Sequence, residues 1–152
     1  MIEPNEAMAD ISKKLFMSDS NVDVIASGVW DKNTFLKLNI NGSISSVNGI
    51  DIKKNESEEL IENVVPAIAL DELFYNSKIS LIKMDIEGAE KKALFGAKKL
   101  IATQKPKLAI AIYHRPEDIW EIPNAILEIN PEYKFYMRHY TLCEYDTILY
   151  AI

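Results

Sequence analysis

ISLIKMDIEGAE, running from Ile79 to Glu90, is an apolar stretch that ends in Asp85, Glu87 and Gly88 and passes directly into a helix-patterned segment. It predicts a buried parallel strand that delivers carboxylates to a ligand-facing edge. In open α/β sheets, ligands bind in the crevice at the carboxyl ends of the strands, so acids at the end of this strand place chemistry there.

Downstream, Ala89, Ala93, Leu94, Ala97, Leu100 and Ile101 share one helical face, with Lys98 and Lys99 late in the helix and Pro106 at its end. Lys107 to Tyr113 reads as the next strand. Pro116 to Ile129 reads as a helix with Ile119, Ile122, Ile126 and Leu127 inward, Tyr133 to His139 as a strand, and Thr147 to Ile152 as the last strand. This alternation of strand and helix predicts an α/β fold with a mostly parallel sheet. The link from Tyr140 to Asp146 is too short for a helical crossover, so the final two strands are expected to pair antiparallel.

Upstream, Pro4 to Phe16 carries Met8, Ile11, Leu15 and Phe16 at helical spacing. Met1-Ile2-Glu3 before it resembles the last residues of a strand whose beginning is not present. Asn21 to Trp30 and Thr34 to Ile40 read as strands around the turn Asp31-Lys32-Asn33. Asn41 to Glu62 is polar and reads as a solvated loop or a short surface helix. Val64 to Leu70 suggests a short extended segment, and Ala69 to Phe74 a helical turn feeding the Ile79 strand.

Composition sets bounds on function. The 152 residues, 48% hydrophobic and 26% charged, suit one globular domain spanning residues 1–152. A net charge of −6 with scattered Lys and Arg argues against a nucleic-acid backbone or an anionic membrane as partner. The single Cys143 cannot form an internal disulfide, and two His without further Cys give no structural zinc pattern, so a reducing, cytoplasmic setting is expected. No apolar run approaches the length of a membrane span.

Four positions carry candidate chemistry, each with a plainer alternative. Glu3, at the tip of an early strand, could hold the two hydroxyls of an adenosine ribose or simply serve the start of a helix. Asp85 and Glu87 could bind a metal, position a substrate hydroxyl or act as a base, or they could cap the following helix. His114 ends the Lys107 strand and so reaches the same edge, as a general base or a structural histidine. Glu90 is expected to be solvated, Asp118 an N-cap, and Arg138-His139-Tyr140 a pocket lining or an edge closure.

Taken together, IEPN, NVDVIASGVWD, LIKMDIEGAEKKALFGAKKLI, KPKLAIAIYHRPEDIWEIP, YKFYMRHYT and DTILYAI resemble the FkbM family of S-adenosylmethionine-dependent methyltransferases over essentially the whole chain. The resemblance implies a class I, Rossmann-like methyltransferase sheet with an antiparallel last strand. It implies that Glu3 binds the cofactor ribose, that Ser27, Gly28 and Val29 lie against the adenine, and that Asp85 and Glu87 sit beside the methyl donor and acceptor. It also implies O-methylation of a hydroxyl on a sugar or another small metabolite, with His114 as the base and Asp85 second.

The same resemblance implies an absence. The family carries a first strand, a glycine-rich turn and a helix ahead of the ribose acid, about 30 to 50 residues if they resemble half or more of an ordinary βαβ unit. Only Met1-Ile2 precedes Glu3, and no G-x-G occurs later. The expectation is therefore a truncated domain, either with a gap in its sheet or with the ends of the Glu3 and Ile79 strands brought together, and either impaired alone or completed by a partner chain or a second copy. A nicotinamide-dependent Rossmann enzyme would share the ribose acid but leaves D-x-E-G and the antiparallel finish unexplained.

Overall fold

A computed structural model describes residues 1–41, 44–50, 64–143 and 145–152. In chain order the elements are β1 (Ile2–Glu3), α1 (Glu6–Leu15), β2 (Ile25–Ala26), β3 (Gly28–Val29), β4 (Thr34–Asn41), β5 (Ile44–Ile50), β6 (Val64–Ile68) and α2 (Leu70–Leu73). There follow β7 (Leu81–Met84), α3 (Glu90–Gly96), α4 (Lys98–Gln104), β8 (Lys107–Ala111), α5 (Asp118–Ile129), β9 (Phe135–His139) and β10 (Thr147–Ala151).

The strand read from ISLIKM is β7, and it pairs in parallel with β8, Leu81 opposite Lys107 through Met84 opposite Ile110. β10 runs antiparallel between β8 and β9, as the short link before it requires, giving the order β7-β8-β10-β9. Leu94, Ile101, Leu108, Ile110, Ile122 and Ile126 are fully buried, so the core lies between this sheet and helices α3, α4 and α5. Apolar residues on both faces of β8 explain its burial on both sides.

The single mostly parallel sheet expected from the sequence is instead three hydrogen-bonded groups of strands. Among the described residues β1 pairs only with β2, in parallel. The third group, β3-β6-β4-β5, is mixed, with β4 antiparallel to both β5 and β6. Residues 44–50, expected in a loop or helix, form β5, because pairing from Phe35–Ile50 to Asn41–Ile44 satisfies a backbone that weak local propensity left open. The rest of that polar stretch, 42–43 and 51–62, lies outside the described residues. Asn21 to Trp30 yields two two-residue strands that break at Ser27, which switches the chain from β1 as neighbour to β6 as neighbour.

Three helical expectations also change. Asn5 caps α1 by accepting the Met8 N–H, yet Met8, Ile11, Leu15 and Phe16 are exposed and only Ala9 is buried, because α1 packs against the small β1–β2 pair. In α5, Ile122 and Ile126 face the core together with Ala125 and Ile129, whereas Ile119 and Leu127 are exposed. The helix after Gly88 is broken at Ala97. There Asp71 of α2 caps α4 from outside, accepting the Lys99 N–H at 2.9 Å and the Leu100 N–H at 2.8 Å.

β1 and β7 are terminal strands of separate groups, and between them lies an apolar groove of about 310 Å³. Ile2, Val29, Leu70, Leu81, Met84 and Ile86 are among the residues lining it. No helix among the described residues is long and apolar enough to cross a membrane.

Candidate active site

Because β7 and β8 are parallel neighbours, their carboxyl ends emerge together, bringing the Asp85–Glu90 turn beside His114. The turn is made by two successive left-handed residues, Glu87 at φ 57° and Gly88 at φ 87°. Only glycine adopts such a φ without cost, and a Cβ at Gly88 would also stand 2.9 Å from Arg115 Nε.

Three carboxylates surround the imidazole. His114 Nε2 lies 3.4 Å from Asp85 Oδ1 and 3.5 Å from Glu87 Oε2, and Nδ1 lies 3.1 Å from Glu90 Oε1. The His114 side chain is 8% exposed, and neither ring nitrogen makes a hydrogen bond of good geometry, so these are ion-pair contacts. The Tyr113 ring packs on the imidazole at 4.2 Å between centroids, and its hydroxyl donates to Asp85 Oδ1 at 2.9 Å. Lys83 Nζ reaches to 3.9 Å from Asp85 Oδ2.

The electrostatics follow from this crowding. Burial by itself lowers the His114 pKa, but Glu90, then Glu87 and Asp85, outweigh it and hold the ring above the usual histidine value. Burial raises the Glu90 pKa, yet His114 and the Ile86 N–H together bring it below the usual carboxylate value. Burial, and then the Asp85 carboxylate, push the Tyr113 phenol up, so it stays a neutral donor. Asp85, Glu90 and His114 each bring a donor atom within 4.8 Å of the other two.

Glu90 was expected in solvent and is instead fully buried. The signal for this was in the sequence, since Glu90, Ala93, Leu94, Ala97 and Ile101 recur at helical spacing and all face inward. Asp118 is likewise buried, accepting the Arg115 N–H at 3.0 Å, while Glu117 occupies the N-cap position.

The candidates for a nucleoside cofactor lie on the other side of the groove. Glu3 ends β1 and accepts the Asn5 N–H through Oε1 at 2.8 Å, so one of its oxygens already shapes the turn into α1. The buried Ser27 hydroxyl lies 3.0 Å from the Gly28 carbonyl and 3.1 Å from that of Pro66. Gly28 and Val29 form β3, and Val29 lines the groove. Glu3 directly follows Ile2, and Asp85 stands between Met84 and Ile86, so each adjoins residues lining the same groove. Glu3, Asp85, Glu87 and His114 themselves are not among the groove's lining residues. His139, by contrast, is engaged by Thr147 Oγ1 at 2.8 Å, and Arg138 stacks over Tyr140.

Comparison with known proteins bears on the fold and the family. A search of curated proteins found no match. A crystal structure of methyltransferase FkbM from Methylobacillus flagellatus KT superimposes with a TM-score of 0.76 at 27% sequence identity, covering 100% of this chain and 36% of that one. The chain thus spans about a third of that protein's length. The model of the methyltransferase FkbM domain matches residues 2–140, and the chain belongs to that family.

Proposed function

We propose that this chain carries the acceptor side of an S-adenosylmethionine-dependent O-methyltransferase acting on a hydroxyl of a sugar or another small metabolite. The observation that carries the reading is the His114 imidazole, enclosed by Asp85, Glu87 and Glu90 where the parallel strands β7 and β8 end. Bound S-adenosylmethionine would supply an electrophilic methyl carbon on sulfonium sulfur, whose transfer to a hydroxyl oxygen leaves a neutral thioether and one proton to be removed. Glu3 would hold its ribose, with Ser27, Gly28 and Val29 along the adenine side.

In this reading His114 Nε2 takes the acceptor proton once the imidazole is neutral, and Asp85 and Glu87 orient the hydroxyl. Tyr113, neutral and hydrogen-bonded to Asp85, fixes that carboxylate. Alignment of the acceptor supplies most of the rate, since methyl transfer needs the oxygen in line with the bond that breaks.

A second reading is favoured by the groove between β1 and β7. Two strand edges without a partner among the described residues border the same apolar groove, the arrangement that accepts an added strand. In that reading the chain is a subunit completed by another polypeptide, which contributes a strand to the cofactor site.

Calorimetric titration with S-adenosylhomocysteine tests both readings without the acceptor. Saturable binding by the folded chain, weakened by Glu3→Ala and retained by His114→Ala, supports the enzyme. A folded chain that binds nothing removes the reading of a self-sufficient enzyme and favours the completed subunit.

A further inference from the structure

The Glu90 carboxylate is the least accessible charged group at the site, at 0% exposure, and it joins the two elements that carry the other candidates. Its Oε1 accepts the Ile86 N–H at 2.8 Å, tying it to the left-handed turn that presents Asp85 and Glu87. The same oxygen lies 3.1 Å from His114 Nδ1 beyond the end of β8, and Oε2 has no hydrogen-bond partner. Complementing a helix dipole would not require burial, because an exposed acid in the first turn serves that role. A carboxylate buried this deeply is costly unless a cation neutralises it. Among the described residues, His114 is the cationic group within ion-pair distance of it.

We infer that Glu90 is a positioning residue for the proposed methyl transfer: it holds the His114 ring with the proton on Nδ1, leaving Nε2 to face Asp85, Glu87 and the acceptor. The inference rests on the assignment of His114 as proton acceptor. When the acceptor O–H breaks, its proton moves to Nε2, and the imidazolium so formed keeps its Nδ1–H toward the Glu90 carboxylate. Asp85 and Glu87 face the ring from the turn after β7, Glu90 from α3, Tyr113 from the preceding position in the segment after β8, and Asp118 more remotely from α5. One side chain therefore sets both the orientation of the base and its spacing from the carboxylates.

Imidazole ¹⁵N NMR on the 152-residue chain tests this, with His139→Gln assigning the two histidines. Above the pH at which His114 loses its proton, Nε2 should give the pyridine-type signal and Nδ1 the N–H signal. Glu90→Gln, whose amide oxygen keeps an acceptor facing Nδ1, should keep that tautomer. Glu90→Ala should move the tautomer ratio by about tenfold toward Nε2–H, because the acceptor facing Nδ1 is gone while Asp85 and Glu87 still face Nε2. A wild-type ring protonated on Nε2 overturns the inference, as does an unchanged ratio in folded Glu90→Ala. If Glu90→Ala fails to fold by circular dichroism, the wild-type and Glu90→Gln tautomers decide by themselves. S-adenosylhomocysteine titration of the same samples separates the two claims. An Nδ1–H tautomer without cofactor binding sinks the enzyme reading and not the hold on the ring; binding with the opposite tautomer sinks the role of Glu90.

Discussion

Replacing Gly96 by alanine should destabilise the chain through a single backbone contact. Gly96 closes α3 where the helix crosses the end of β3, and an added Cβ would stand 1.9 Å from the Trp30 carbonyl oxygen and 2.9 Å from its carbon. Ordinary contact starts at 3.4 Å, so α3 and β3 would have to separate by about 1.5 Å. The obstacle is backbone, which cannot rotate away as a side chain could. Overpacking of this kind costs about 1–3 kcal/mol, and the upper part of that range applies to a clash this severe. Alanine returns up to about 1 kcal/mol of helix propensity, leaving a net loss of about 1–2 kcal/mol. For a domain of this length that is a fall of about 2–8 °C in melting temperature. Thermal and urea unfolding, followed by circular dichroism, measure it. Trp30 emission should also change, since Lys92 of α3 lies 5.8 Å from its ring centroid and pairs with Asp31 at 3.0 Å. Gly28→Ala is the control, because its nearest contact is the movable Leu36 side chain at 3.2 Å. A Gly96→Ala chain as stable as wild type would refute the assignment of this contact as a backbone constraint.

Asp71→Ala should cost about 1 kcal/mol in urea unfolding, since it removes the acceptor for the Lys99 and Leu100 N–H groups at the start of α4. Tyr133→Phe should cost about 1 kcal/mol as well, because the buried Tyr133 hydroxyl donates to the Pro106 carbonyl at 2.6 Å. The Glu90–His114 pair should make stability depend on pH with two limbs. The raised His114 pKa adds stability that is complete below 6.5 and is lost as pH rises through the folded value above it. The lowered Glu90 pKa adds stability that is complete above 4.5 and is lost as pH falls through the folded value below it. Denaturation midpoints of the wild type should therefore be highest between those pH values relative to Glu90→Gln, and a pH-independent difference between the two would count against the pair. If an acceptor is found, turnover should rise with pH as His114 loses its proton, and His114→Ala should lower turnover with little change in cofactor affinity.

Much of the candidate site was legible in the sequence because its determinants are local. An apolar run followed by D-x-E-G identifies β7 and its turn, and a second run ending in His114 identifies β8. Parallel pairing of the two is enough to put Asp85, Glu87 and His114 at one edge. Glu90 was misread because a charged residue beside Lys91 and Lys92 looks solvated when taken singly, although its helical phase with Ala93 and Leu94 places it inward. The exposed face of α1 was hidden for the opposite reason: periodicity shows that a helix has an apolar stripe but not whether anything lies against it.

By itself, then, the sequence determined the order of strands and helices along most of the chain, the antiparallel finish and the family, since these follow from periodicity, turn residues and short motifs. Only the tertiary structure decided which strand edges stay unpaired, that residues 44–50 join a mixed sheet, and that a buried glutamate meets His114. Those outcomes depend on which distant segments compete for the same backbone hydrogen bonds and the same buried space, and local sequence does not encode that competition.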